Sequence, residues 1–349
     1  MFDEMNKADS REMYDVHRIW GALGILIMFL PGFVAIPLAL AYLIHGRNPF
    51  KETYSDLEFA KSNNYEVLGI IFGVCANLFY PIAMICASFA SLSKALRGKG
   101  SELQTLSTWM VGHEAFLESF PQILLQCFTI AYGYEVTTMQ KVTIIASFFL
   151  LARVAIMYDL LWEDKELSFK DTMIYTAKRL PAHVTTIIFR ICAFTLTMIF
   201  LREWSVIPIL ALYLEILAIS YIRFQRVQDP VHFCRTVWYK SLNNLAVLNV
   251  YSPADKHMDK CGEECRNFII LSTITTFVHH VIVMTSIILL TFYYPEYFQQ
   301  KKFDNLILKP GRDEFFDPFI ITYALGISNL VLCLHLSKKA LDPMIEVLE

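Results

Sequence analysis

Glu114, Glu118, Gln122 and Gln126 recur at four-residue intervals in the otherwise apolar stretch His-Glu-Ala-Phe-Leu-Glu-Ser-Phe-Pro-Gln-Ile-Leu-Leu-Gln, residues 113–126. On a helix, side chains four apart share a face. The spacing therefore predicts one polar ridge, with Phe116, Leu117, Phe120, Leu124 and Leu125 covering the rest of the surface. Pro121 lacks an N–H and releases a backbone carbonyl one turn earlier, near Leu117, which adds an acceptor to the same stretch. Three more charges stand alone in apolar runs: Arg153, Arg190 in Thr-Ile-Ile-Phe-Arg-Ile-Cys-Ala, and Glu215 in Ala-Leu-Tyr-Leu-Glu-Ile-Leu. Carboxylates attract amines and cations, and guanidinium groups grip phosphates and carboxylates through paired hydrogen bonds. Two readings stay open on these residues. They line a polar path for a headgroup, ion or solute, or they form a closed set of salt bridges that fixes helix register and stabilises little, because desolvation offsets the attraction.

Nothing else in the chain points to covalent chemistry. There is no Gly-rich phosphate loop, no nucleophile elbow and no metalloprotease helix motif, so no catalytic residue, cofactor or enzyme activity is expected. His279 and His280 are adjacent, and neighbours on a helix diverge by about 100°. Packing or a helix–helix hydrogen bond is the expectation for them, not a shared metal. Five of the eight cysteines lie inside apolar runs, where a thiol behaves as a small hydrophobe. Cys261 and Cys265 are four apart with no second half nearby, which does not match zinc spacing. No metal site is expected. A net charge of -3, without any basic stripe, argues against a nucleic-acid partner.

Such isolated charges need elements that hold them in an apolar medium. The chain is 55% hydrophobic and only 18% charged, against about 25% charged in soluble domains. A spanning helix needs about 20 apolar residues to cross a hydrocarbon core of about 30 Å. Residues 19–44 and 67–93 hold no Asp, Glu, Lys or Arg; 267–294 and 318–337 are equally free of them. Residues 114–134, 142–158, 181–201 and 205–222 are interrupted by one or two charges, and 231–251 reads as an interfacial or re-entrant piece. No run alternates at period two, which argues against a β-barrel. The expected fold is an all-α polytopic helical membrane protein. Residues 1–18 are polar and mixed in charge, unlike a signal peptide. The aromatics of residues 291–298 read as an interfacial belt. If every strong run crosses, 19 Lys and Arg fall on the side of the C-terminal tail and 9 on the other; if 67–93 instead dips in and returns, the split is again 19 to 9. Either way the basic side, with the C-terminus, is cytosolic.

The stretch from Glu114 to Gln126 resembles the Glu-x-Phe-Leu-Glu-x-x-Pro-Gln signature of the XK-related membrane proteins, a family that includes apoptotic phospholipid scramblases. Tyr158-Asp159 closing a helix, Phe189-Arg190-Ile191 within one, and Leu248-Asn249-Val250 agree in order, and the similarity extends from about Trp20 to Leu336. The resemblance implies two related repeats, each with spanning helices and a re-entrant helix. Mapped onto this chain, they give a polar segment 1–18, a first repeat 19–180 that departs from the family in lacking its first helix, a second repeat 181–337, and a short cytosolic tail 338–349. The re-entrant elements would be 67–93 and 231–250. It further implies a multi-pass protein of the plasma membrane that moves phospholipid headgroups between leaflets and exposes phosphatidylserine, its path lined by Glu114, Glu118, Gln122, Gln126, Arg153, Arg190 and Glu215. Membrane phospholipids would be its partners, with a single-span membrane protein as a further one. An ion or solute transporter, or a non-transporting subunit that binds a partner protein, are the alternatives. Relatives are switched on by caspase cleavage in a terminal tail. Here Asp342 is followed by Pro343, a poor caspase site, so activation through the C-terminus is not expected.

Overall fold

The computed structural model describes residues 22, 115–131, 138–162, 169–224, 237, 241, 244–245, 262–294 and 315–339. The chain divides into two compact units, Met1–Glu118 and Ser119–Glu349. The described part of the first is Ala22 and the start of a π turn, Ala115–Ser119. The expected spans at 19–44 and 67–93 thus lie outside the described residues, as does most of 231–251.

The second unit is helical, with no strand among the described residues: α1 (Phe120–Ala131), α2 (Thr138–Trp162), α3 (Phe169–Leu201), α4 (Val206–Phe224), α5 (Gly262–Tyr293) and α6 (Asp317–Lys339). Four stretches are long and apolar enough to cross a membrane: Thr138–Ile156, Met173–Leu201, Ile270–Tyr293 and Asp317–His335. Phe120–Ala131 and Val206–Ile222 are shorter apolar helices. This is an all-α, multi-pass membrane protein.

Outward faces carry the membrane signature. Met139, Val142, Ile145 and Phe149 of α2 are exposed at helical spacing, as are Ile274, Val278 and Ile282 of α5 and Ile320, Ile327 and Val331 of α6. In water such stripes would be an aggregation hazard; against lipid they cost nothing. α3 differs, for no residue from Ala182 to Leu201 is exposed, which makes it the central helix, with α1, α2, α5 and α6 packed on it.

α3 has 33 residues, about 50 Å at 1.5 Å per residue, and starts at Phe169 instead of Pro181. Its polar first part, with Lys170, Asp171, Lys178 and Arg179, is invisible to a search for apolar runs, yet the helix passes through. Arg179 lies 5.0 Å above the Tyr175 ring, one turn back. Pro181 sits on the exposed side and forfeits one backbone bond. Arg202 closes the helix at φ 50°, a left-handed conformation that L side chains seldom adopt. The 3-10 turn Arg202–Ser205 then reverses the chain into α4, and Pro208 and Pro318 occupy first turns of their helices, where no N–H is needed.

Parallel α3 and α5 meet antiparallel α6 at one end in an aromatic core. Leu196, Ile199 and Phe200 pack there with Met284, Ile287, Phe315 and Phe319. Phe200 meets Phe315 edge-on at 5.6 Å and Phe319 at 5.6 Å. Half-way along, Gly326 lets α6 approach closely: an added Cβ would stand 2.7 Å from Phe189 Cε2 and 3.0 Å from Phe277 Cε2. The core end and the Gly326 notch together fix the level at which α3, α5 and α6 face one another.

Candidate functional site

Arg190 occupies that level. The turn that carries it, from Ile187 to Phe194, is otherwise almost wholly apolar and buried, and Arg190 itself is 1% exposed. Its Nε, Nη1 and Nη2 find no hydrogen-bond partner among the described residues. A guanidinium cannot shed its proton to escape the cost of burial, and a charge at a helix centre in a membrane costs at least about 2.5–3.5 kcal/mol.

One turn towards the N-terminus, Thr186 begins a small polar cluster with α6. Its hydroxyl lies 2.7 Å from the Ala182 carbonyl and 2.6 Å from Asn329 Oδ1, and shares one proton between them. The Cys333 thiol donates to the same Oδ1 at 3.2 Å. The two acceptors are thereby engaged.

His280 is 2% exposed and stands edge-on to Phe189 at 5.4 Å and Phe194 at 4.9 Å, the residues on either side of the Arg190 turn. Its Nε2 has no hydrogen-bond partner among the described residues, nor has the buried Oγ1 of Thr276, one turn earlier on the same face. His279 turns the other way. Its Nδ1 lies 3.1 and 3.2 Å from the two oxygens of Glu215 on α4, with side-chain exposures of 10% and 43%. The helix–helix hydrogen bond expected of the histidine pair is present, and no group of three metal-ligating side chains occurs among the described residues.

The expected charges are distributed as follows. Glu114 lies outside the described residues, and so does the side chain of Glu118. The backbone there is a π turn, and the four-residue register of the ridge holds only from Phe120 onward, because the wider turn advances the helix differently. Gln122 and Gln126 are half-buried on α1, the Oε1 of Gln126 being buried without a partner among the described residues. Arg153 is on the exposed side of α2. Arg190 and Glu215 do not pair; the adjacent histidines stand between them, one bound to Glu215 and the other set against the turn of Arg190. Thr186, Thr276, Asn329 and Cys333 were not singled out from sequence. Asn329 was the available signal, the one amide in the run 318–337.

Chemically this is a buried centre of donors without hydrogen-bond partners among the described residues, placed where helices cross a membrane. Comparison with known proteins matches the chain to no curated protein and to no solved structure. A family model, described as XK-related protein, matches residues 14–254, more than half of the chain, and covers Arg190 and Glu215 while leaving α5 and α6 beyond it. With that match and its membrane-crossing helices, the chain belongs to the XK-related family of membrane proteins.

Proposed function

We propose that this protein is a phospholipid scramblase of the plasma membrane, moving lipid headgroups between leaflets and thereby exposing phosphatidylserine, with no covalent chemistry. The observation that carries the reading is Arg190, a guanidinium in the middle of a membrane helix with no hydrogen-bond partner among the described residues. A static salt bridge would have closed on it. A headgroup phosphate offers the bidentate acceptor that guanidinium prefers, and the acyl tails need never leave the lipid. Gln122 and Gln126 of α1, a helix packed on α3, would offer amide oxygens to the amine of the same headgroup.

Glu215 favours the second reading for its own part. Held by His279, it is a register pin between α4 and α5 and not a path residue, and its half-exposed side is suited to a single-span partner helix. Purified protein in liposomes, assayed with fluorescent lipid and in parallel with ion and amino-acid flux, tests the function. Lipid movement without solute flux supports a scramblase; saturable solute flux alone would make the protein a transporter, and neither would make it a partner-binding subunit.

A further inference from the structure

The centre around Arg190 is closed, and it lacks hydrogen-bond partners among the described residues. Arg190 is 1% exposed, His280 2% and Thr276 2%, so in this state no headgroup with its glycerol and tails reaches them. Yet three groups on the facing sides of α3 and α5 still lack hydrogen-bond partners among the described residues: the whole guanidinium, His280 Nε2 and Thr276 Oγ1. All three can donate, since a histidine ring can carry its proton on Nε2 and a hydroxyl turns to suit. The acceptors of the neighbouring cluster are engaged: Asn329 Oδ1 receives both Thr186 and Cys333, and the Ala182 carbonyl receives Thr186. Neither a neutral imidazole nor a hydroxyl supplies the negative charge that a guanidinium needs. Buried polar groups are paired in the great majority of cases, and a buried cation needs a counter-charge. What is lacking is a compact acceptor that carries negative charge and brings no donor of its own.

We propose that Arg190, with Thr276 and His280, holds a small inorganic anion of the halide class between α3 and α5 in the closed state. Such an ion neutralises the guanidinium and accepts from all three donors without requiring any geometry of its own. The site does not depend on lipid transport. It would exist in a protein that moves no lipid, and in a scramblase it would be what a headgroup phosphate displaces when the helices part.

The test is thermal stability of the full-length protein in detergent at constant ionic strength, with sodium gluconate replaced stepwise by sodium chloride or bromide. Separate arms add inorganic phosphate or a short-chain phosphatidylserine. The expected result is a saturable rise in Tm with either halide, abolished in Arg190→Gln. Should Arg190→Gln fail to fold, Thr276→Val keeps shape and removes one donor. It should raise the half-saturating halide concentration about ten-fold, as for loss of one hydrogen bond to a charged group. Equal Tm in chloride and gluconate would overturn the proposal. A halide response unchanged in Thr276→Val would also overturn it, as would a response to phosphate or the short-chain lipid and not to halide. None of these outcomes bears on whether the protein scrambles lipid, which the flux assay decides by itself.

Discussion

His279 and His280, neighbours in sequence, serve opposite helices: His279 Nδ1 is 3.1 Å from Glu215 of α4, and the ring of His280 is 4.9 Å from that of Phe194 on α3. This divergence ties the peripheral helix to the central one through a single turn of α5. It also separates the two expected charges, leaving Glu215 with a partner and Arg190 without one among the described residues.

The pair between α4 and α5 should be measurable as a coupling energy. Glu215→Gln and His279→Gln singly, and both together, should give a coupling of about 0.5–1.5 kcal/mol in detergent, the range of polar contacts between membrane helices. A coupling near zero would mean that the two side chains act independently.

Gly326→Ala should lower Tm. The new methyl would meet two aromatic edges at 2.7 and 3.0 Å, and Phe189 is fully buried, so the edges have little room to retreat. Overpacking of this kind costs about 1–3 kcal/mol. Phe277→Leu in the same chain should recover part of the loss, since it removes one of the two edges; an unchanged Tm in Gly326→Ala would show that α6 stands further off.

Asn329→Leu should destabilise by about 1–2 kcal/mol, because Thr186 and Cys333 both lose their shared acceptor. Thr186 keeps the Ala182 carbonyl in that variant, which limits the damage. Stability equal to that of the parent would remove the cluster as a tie between α3 and α6.

The positions of α2 to α6 were legible as apolar runs, because length and hydropathy decide what crosses a membrane. The rest was hidden for identifiable reasons. Hydropathy cannot see that α3 begins at Phe169, since its first turns are polar and stand outside the apolar stretch. A π turn has no sequence period of its own; Pro121 two residues beyond Ser119 was the sole hint, and the even spacing of Glu114, Glu118, Gln122 and Gln126 suggested an unbroken helix instead. Arg190 was visible as a charge in an apolar run, but whether α5 and α6 bring an acceptor beside it depends on tertiary packing; neither does among the described residues. Thr186 and Asn329 are 143 residues apart, and no local pattern links them.

The charge split predicts that the α3–α4 turn faces outward and the start of α3 faces the cytosol. In a cysteine-depleted background, Trp204→Cys, 60% exposed in that turn, should be labelled by an impermeant reagent on intact cells. Lys170→Cys, exposed near the start of α3, should be labelled only after the membrane is opened. The reverse pattern would invert the topology and place the C-terminus outside.

The central claim is that Arg190, a guanidinium in the membrane with no hydrogen-bond partner among the described residues, serves lipid movement. Its most direct test is Arg190→Gln in liposomes, with stability measured on the same preparation. Arg190 has no hydrogen-bond partner among the described residues, so its replacement by glutamine should strand no protein charge and the variant should fold, without the loss of about 3–5 kcal/mol that breaking a buried ion pair brings. Fluorescent lipid should cross between leaflets at least ten-fold more slowly than with the parent protein. A well-folded Arg190→Gln protein that scrambles lipid at the parent rate would contradict the account.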